Sequence, residues 1–188
     1  RIPAADENIL NSARSTNFMT PKNKASEEFR EAVFSLSERM PFARALVNSG
    51  RLSMPHFYKD SPLNSIDDPS FKAKGPRPGE LSIDTSVFEG DDAVWLLTEL
   101  GTEFCLLLFV DEPLFFNDKI RHLRELACSS KPKIKIVFIS DREINNKNGA
   151  LILSDKNNTC FKKWAAKAGS VYLIRPDQYI AARWKGSP

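Results

Sequence analysis

Two strand-length apolar runs constrain the fold of this chain more than any other feature of its sequence. The runs are Phe104 to Val110 and Ile134 to Ile139, and each has the length of a buried strand. The segment between them, from Asn117 to Cys128, predicts an amphipathic helix with Ile120 and Ala127 on its inward face. A strand, a helix and a second strand in this order predict a right-handed parallel crossover.

The flanking residues extend this unit into a mixed sheet. Four further elements are predicted: a strand from Val94 to Leu100 that turns at Gly101-Thr102 into the first apolar run, a helix from Asp155 to Ala168, and a closing hairpin of Val171 to Ile174 and Tyr179 to Trp184. In the hairpin, Arg175-Pro176-Asp177-Gln178 fits a type I turn with proline at its second position. The resulting order, β-β-α-β-α-β-β, predicts an α/β (α+β) fold with a thioredoxin-like mixed sheet and flanking helices.

The chain before this sheet divides into a helical segment and a connector. Residues 1–50 predict helices, with Ser26 as an N-cap and an apolar stripe of Phe29, Val33 and Leu36. Residues 51–92 are rich in proline and glycine, which predicts little regular structure and favours a strap across a partner surface. Residues 93–188 are the thioredoxin-like domain. Two or three amphipathic helices cannot close a core alone, so residues 1–50 need a partner surface.

The charge and the cysteines exclude several classes of function. The 27 basic and 24 acidic residues leave a net charge of +3, which is too balanced to indicate nucleic acid or an anionic membrane as a partner. No apolar run approaches the roughly 18 residues of a membrane-spanning helix. The cysteines, at 105, 128 and 160, form no C-x-x-C pair, and their usage favours a reducing cytoplasm.

Motifs for cofactors and metals are also missing from the sequence. The eight glycines contain no G-x-G pair, so neither a dinucleotide fingerprint nor a P-loop is present. Of the two histidines, His122 is expected to be solvated, whereas His56 is expected to make a structural contact or to lie near the active site of another domain. These residues predict no metal-ligand cluster, and no G-x-S-x-G elbow supports a serine triad.

A thioredoxin-like layout invites a redox function, which the sequence disfavours. A thioredoxin needs a nucleophilic thiol at the start of the helix that follows the first central strand, where the helix dipole lowers the thiol pKa. Here that segment is Asp111-Glu112-Pro113-Leu114-Phe115-Phe116-Asn117, which contains no cysteine. Dithiol exchange is therefore not expected. A stand-alone thioredoxin-fold protein that acts as an interaction module stays open as the alternative.

Two motifs carry a resemblance to a known family. The segment from Tyr172 to Trp184 resembles the end of the phenol-hydroxylase-like FAD-dependent aromatic-ring monooxygenases, where a strand ends in Arg-Pro-Asp and continues as Tyr-hydrophobic-Ala-x-Arg. Gly75-Pro76-Arg77-Pro78-Gly79 is similar to the Arg-Pro-Gly start of that family's C-terminal domain, and Arg1–Ala4 and Pro41–Arg44 resemble the helices that follow its flavin domain. The sequence departs from the family pattern at Gln178, where glycine is common, and at Ala182, where an aromatic residue is common.

The resemblance implies a C-terminal structural or docking domain of an FAD- and NAD(P)H-dependent monooxygenase that hydroxylates phenolic or other aromatic substrates. It implies that FAD and NAD(P)H bind to the full-length protein and not to this chain, which is expected to be inactive by itself and to hold no catalytic, cofactor-binding or metal residue. The implied partners are the N-terminal FAD/substrate domain of the same polypeptide and a second copy in a homodimer. The start at Arg1 instead of a methionine fits a domain of a longer protein.

Five residues are candidates for interdomain or structural contacts: Arg77, Arg175, Asp177, Arg183 and His56. Asp177 is expected to cap its turn. The arginines are expected to pair with carboxylates or with the preceding domain, and lining a substrate or flavin entrance is the alternative role.

Overall fold

The structure, a computed structural model, describes residues 2–47, 55–116, 118–144 and 150–186. It divides into two compact units, Arg1–His56 and Phe57–Pro188. The boundary expected between residues 50 and 51 lies outside the described residues, as does Asn117, the first residue of the helix expected after the first apolar run.

The first unit is helical, as predicted. Its helices are α1 (Ile2–Met19), α2 (Lys24–Arg39) and α3 (Pro41–Val47). The expected N-cap at Ser26 was wrong: Asn23 caps α2, and its side-chain oxygen accepts a hydrogen bond from the Ser26 amide at 2.9 Å. We call this part of the chain the helical unit.

The apolar stripe of the helical unit is only partly covered. Val33 and Ala43 are buried, and Phe18 and Phe34 pack edge to face with their ring centroids 5.6 Å apart. Phe29, which shares the stripe with Val33, is 65% exposed. Within the residues that the structure describes, three helices therefore bury a small core and leave large apolar side chains in contact with solvent.

The second unit contains one seven-stranded mixed sheet in its described part, with the strand order β2-β1-β5-β4-β3-β6-β7. Its elements in chain order are β1 (Ser86–Glu89), β2 (Asp92–Trp95), α4 (Leu96–Leu100), β3 (Phe104–Val110), α5 (Glu112–Phe115), α6 (Asp118–Ser129), β4 (Ile134–Ser140), β5 (Leu151–Ser154), α7 (Thr159–Lys163), β6 (Val171–Ile174) and β7 (Ile180–Trp184). β3, β4 and β5 are mutually parallel, and the other pairs are antiparallel.

The predicted sheet is confirmed in its central and closing parts. β3 and β4 pair in parallel, from Phe104 opposite Ile134 to Val110 opposite Ser140, with α6 as the crossover. β6 and β7 form the closing antiparallel hairpin. The fold is a thioredoxin-like mixed sheet with flanking helices, as the sequence indicates.

Three predictions for this unit were wrong in detail. Leu96–Leu100 is a helix, and the hairpin partner of β2 is β1, which precedes it. A short apolar run suits a strand or a buried helix equally well, so periodicity alone could not separate them. Strand β5 was not predicted, and α7 ends at Lys163 instead of Ala168 because Ala165 has a positive φ of 50°.

The two faces of the sheet carry two apolar clusters, and β3 contributes to both. Cys105, Leu107 and Phe109 point to the face that also buries α4 and Trp164, which follows α7, whereas Leu108 and Val110 point to the face covered by α6. This alternation is the period of two that a central strand requires. Because both faces are covered, β3 reads in the sequence as one continuous apolar run.

Residues 57–85, which we call the strap, lie along β7 at the edge of their own sheet. The Gly79 amide donates to Ile180 O at 2.8 Å, the Ile180 amide donates to Glu80 O at 2.9 Å, and Leu81 forms a bridge with Tyr179. The strap therefore provides hydrogen-bond partners for backbone groups of β7, which would otherwise be unpaired at the edge of the sheet. These residues therefore pack on the chain's own sheet, and their crossing of a partner surface stays a prediction.

Candidate functional site

The most buried charged side chain of the second unit is Arg183, whose relative exposure is 1%. Its guanidinium donates two parallel hydrogen bonds to Asp67, at 2.6 and 2.8 Å, and two more to the carbonyl oxygens of Lys74 and Pro76. It also lies 4.2 Å from the Phe71 ring centroid. Burial opposes the charge, but the hydrogen bonds that Arg183 donates to Asp67 outweigh it and raise the pKa of Arg183. Through these hydrogen bonds, Arg183 of β7 holds the strap against the edge of the sheet.

Arg77 also combines a carboxylate partner with an aromatic ring, but its partner Glu80 is only three residues away. Its side chain lies 2.5 Å from a Glu80 carboxylate oxygen, its amide donates to the other carboxylate oxygen at 2.8 Å, and its guanidinium carbon is 4.6 Å from the Phe57 ring centroid. Burial by itself would raise the pKa of Glu80, yet the hydrogen bonds from Arg77 bring that pKa below its usual value.

Arg175 and Asp177 pair within the closing hairpin. The Arg175 guanidinium donates to both Asp177 carboxylate oxygens, and the Gln178 amide donates to Arg175 O at 2.8 Å, which closes the turn. Asp177 also accepts a long hydrogen bond of 3.4 Å from the Tyr179 amide. Arg77, Arg175 and Arg183 thus each have a carboxylate partner of their own within the second unit, and they do not converge on a common anion.

His56 belongs to the helical unit. Its Nδ1 lies 3.1 Å from a Glu7 carboxylate oxygen, which is a structural contact on a partly exposed surface. His122 is exposed on α6, and its Nδ1 is 3.7 Å from a Glu125 oxygen. Sequence reasoning missed Asp67 because this partner of Arg183 lies 116 positions away in the chain.

The three cysteines are free thiols in different surroundings. Cys105 and Cys160 are buried, and burial raises the pKa of each thiol to about 12. Cys128 is exposed on α6. Residues 111–116, which directly follow β3 where a thioredoxin carries its nucleophile, include the short helix α5 and contain no cysteine.

Two other kinds of site were also sought in the described residues. Across residues 2–47, 55–116, 118–144 and 150–186, no group of three or more His, Cys, Asp or Glu side chains could hold a metal ion. In the same part of the chain, no helix combines the length and the apolar character needed to cross a membrane.

One cleft of the second unit lies at the carboxyl ends of the three parallel strands, and we call it the strand-end cleft. Its volume is about 840 Å³. It is lined by residues that directly follow β3, β4 and β5, by α7 with its C-terminal turn, and by two lysines from the strap and the end of β7: Lys74, Val110, Asp111, Asp141, Arg142, Asp155, Lys156, Asn158, Phe161, Lys162, Ala165, Ala166, Lys167, Ala168 and Lys185. Sequence reasoning missed it because its walls come from five separate stretches of the chain.

Comparisons with known proteins agree with the fold. No protein-family model matches the chain, and no curated protein sequence matches it. The solved flavin-dependent monooxygenase PieE, in complex with FAD and substrate, is similar with a TM-score of 0.53 and 16% identity, over 89% of this chain and 28% of that one. A thiol peroxidase from Chromobacterium violaceum is similar with a TM-score of 0.48 and 12% identity, over 69% of this chain and 83% of that one.

The thioredoxin domain of a thiol-disulfide oxidoreductase from Bacteroides vulgatus is similar with a TM-score of 0.44 and 12% identity, over 58% of this chain and 89% of that one. At 16% identity, the likeness to PieE shows the fold alone. The chain spans little more than a quarter of the length of the flavin-dependent monooxygenase.

Proposed function

We propose that this chain is the C-terminal docking part of an FAD- and NAD(P)H-dependent monooxygenase that hydroxylates phenolic or other aromatic substrates. The observation that carries the proposal is the reach of the similarity to PieE. Its 89% share of this chain is larger than the thioredoxin-like unit alone, so the similarity extends into the helical unit. A thioredoxin-fold protein that acts alone would have no need of those helices.

The exposed apolar side chains of the helical unit support the same proposal. Phe29 and Phe42 are 65% and 68% exposed, and Ile9 and Leu10 are more than half exposed. Four large apolar side chains exposed on one small helical unit support a surface that a partner covers. In the proposal, that partner is the FAD/substrate domain of the same polypeptide, and a second copy of the chain supplies further contacts in a homodimer.

The chemistry in this proposal belongs to the preceding domain. This sequence has no G-x-G pair of the kind that a dinucleotide fingerprint uses, so the proposal assigns FAD and NAD(P)H to the preceding domain. The buried thiols of Cys105 and Cys160 do not suit thiol chemistry either, because their raised pKa values keep them protonated. The contribution of this chain is to complete the fold of the enzyme and to cover its catalytic domain.

The parentage is tested by the coding sequence upstream of Arg1. We expect an open reading frame that continues into a flavin domain with an N-terminal G-x-G-x-x-G fingerprint, and a full-length protein that is yellow and oxidises NAD(P)H in response to a phenol. The 188-residue chain by itself is expected to be colourless. An upstream frame without a flavin domain, or stoichiometric flavin absorbance of the isolated chain, would contradict the proposal.

The docking role is tested in the full-length protein with charges placed on the helical surface. Phe29→Arg and Phe42→Arg are expected to lower the thermal stability and the flavin content of the enzyme, because each would bury a charge at the interface. Glu28→Arg is the matched control, since it places the same side chain on an exposed polar position of α2. If all three variants behave like the unmodified enzyme, the exposed phenylalanines do not contact the flavin domain.

A further inference from the structure

The strand-end cleft lies where ligands of open α/β sheets commonly bind, outside the carboxyl ends of the parallel strands. Val110 and Asp111 end and follow β3, Asp141 follows β4, and Asp155 follows β5. Its volume, about 840 Å³, falls within the range of small-molecule sites. The cleft belongs to the second unit and plays no part in the docking role proposed above.

One side of the cleft is cationic. Lys74 comes from the strap, Lys167 follows α7, and Lys185 follows β7. Hydrogen bonds between side chains and backbone hold these segments together. Ser170 Oγ accepts from the Lys167 amide at 3.0 Å and donates to Lys185 O at 3.4 Å, and the Arg183 guanidinium donates to Lys74 O at 2.6 Å. None of the three ammonium groups forms an ion pair with a carboxylate of the described residues. The Lys185 ammonium lies 5.0 Å from the Phe71 ring centroid. Three lysines from distant segments, none of them paired with a carboxylate of the described residues, create a positive potential that attracts an anion.

The other side of the cleft carries carboxylates. In the sheet, β4 and β3 lie on one side of β6 and β7, so Asp141 and Asp111 are separated from the ends of the lysine-bearing segments. Asp155 is not free to bind a ligand, because it accepts hydrogen bonds from the Thr159 and Phe161 amides at 2.9 Å each. Asp141 pairs with Arg142 at 3.3 Å on an exposed surface, which leaves acceptor capacity for a hydroxyl group.

An aromatic ring completes the lining. Phe161 is half-buried and packs edge to face on Phe109, with ring centroids 5.0 Å apart, and Ala165 and Ala166 adjoin it. A ligand that matches this lining has an anionic group for the lysines, hydroxyl groups for the carboxylates and a flat apolar part for Phe161. A purely anionic ligand would be repelled by Asp111 and Asp141, and an uncharged ring would leave the lysines without a partner.

We infer that the strand-end cleft binds a nucleoside phosphate, with its phosphates on Lys74, Lys167 and Lys185, its ribose hydroxyls on Asp111 and Asp141, and its base against Phe161. Carboxylates that accept hydrogen bonds from ribose hydroxyls, and lysines that hold phosphates, are the side chains that nucleotide sites use. This site needs no glycine-rich loop because the phosphates are held by side chains and not by the backbone.

The test titrates the 188-residue chain with adenosine diphosphate in metal-free buffer at low salt, by calorimetry or by NMR shifts. Adenosine and inorganic pyrophosphate are the two partial probes. We expect adenosine diphosphate to bind with submillimolar affinity and each partial probe to bind about tenfold more weakly or worse, because each lacks one set of charged or hydroxyl contacts.

Matched variants locate the site. Lys74→Gln with Lys167→Gln is expected to weaken binding of adenosine diphosphate about tenfold. Lys59→Gln with Lys163→Gln removes the same charge from exposed positions outside the cleft and is expected to change the affinity less than about twofold. Asp141→Asn is expected to weaken adenosine diphosphate and to strengthen pyrophosphate, since it removes both an acceptor and a repulsive charge.

Each outcome decides the question. Binding of adenosine diphosphate that is lost in the cleft variant and kept in the control supports the site. Failure of adenosine diphosphate to bind at millimolar concentration overturns it. Equal losses in both double variants, or pyrophosphate that binds as well as adenosine diphosphate, would show a general attraction of anions to lysines. All substituted residues other than Asp141 are exposed lysines, and the melting temperature of each variant verifies its fold.

Discussion

The apolar stripe of the helical unit and the aromatic core of the thioredoxin-like unit differ in their exposure to solvent. Phe71 and Phe109 of the second unit are fully buried, whereas Phe29 and Phe42 of the helical unit are 65% and 68% exposed. A sheet covered on both faces encloses a core on each face, whereas the three helices bury only a small core. The difference teaches that, among the described residues, the second unit encloses a core of its own and the helical unit leaves large apolar side chains in contact with solvent.

The largest expected difference between the units is in the free energy of unfolding that a Phe→Ala substitution removes. Phe71→Ala is expected to lower the free energy of unfolding by about 3–5 kcal/mol, because it leaves a cavity in a packed core, whereas Phe29→Ala should change it by less than about 0.5 kcal/mol. Urea unfolding followed by tryptophan fluorescence reports Phe71→Ala, since Trp95, Trp164 and Trp184 all belong to the second unit. Far-ultraviolet circular dichroism reports Phe29→Ala. Similar losses for both variants would remove the contrast between the units.

Removal of the buried arginine is the next largest effect. Arg183→Met leaves Asp67 without its partner and releases the strap carbonyls, so we expect a loss of about 3 kcal/mol in the unfolding free energy. Arg121→Met on α6 is the control, because its guanidinium is 71% exposed and its ion pair with Asp118 is on the surface. A loss below 1 kcal/mol for Arg183→Met, on the order of a surface pair, would mean that the strap is held by its backbone bonds alone.

Substitution of two glycines with similar φ values distinguishes the cost of backbone strain from the cost of a steric clash. Gly75 and Gly90 have φ values of +68° and +60°, but a Cβ on Gly75 would lie 2.4 Å from Trp164 O, whereas a Cβ on Gly90 would meet nothing. Gly90→Ala is therefore expected to cost about 1 kcal/mol from backbone strain alone, and Gly75→Ala about 2 kcal/mol or more because the strap must also shift. If Gly75→Ala and Gly90→Ala change the urea midpoint equally, the contact between residue 75 and Trp164 adds no cost beyond backbone strain.

The smallest effect concerns acid stability. Asp68 accepts hydrogen bonds from the Ser70 hydroxyl, the Lys185 amide and the Ser70 amide, which lower its pKa from 3.8 to about 2. Because the folded pKa lies below the unfolded one, the stabilisation is complete above pH 3.8 and is lost as the pH falls toward 2. Asp68→Asn should therefore flatten the pH dependence of stability between pH 5 and pH 2, measured by urea unfolding in that range. An unchanged slope would mean that Asp68 does not contribute.

Much of the thioredoxin-like sheet was predictable from the sequence. β3 and β4 read as apolar runs because both faces of the sheet are covered there. Pro176 at the second turn position predicts the closing hairpin. Leu96–Leu100 and β5 were not predictable, since segments of four or five apolar residues fit a helix or a strand equally well. The helices of residues 1–50 were predictable as elements, but their incomplete core was visible only from the exposed fractions of their side chains.

By itself the sequence determined the order of the central elements, the lack of a glycine-rich nucleotide loop and the lack of a cysteine where a thioredoxin carries its nucleophile, because these depend on local spacing. Only the tertiary structure decided that Arg183 holds the strap on β7 through Asp67, and that lysines from three segments line one cleft with the carboxylates that follow β3 and β4. These features join residues that are far apart in the chain. Their pairing is set by the sheet order and by the desolvation of buried charge, and neither leaves a local pattern in the sequence.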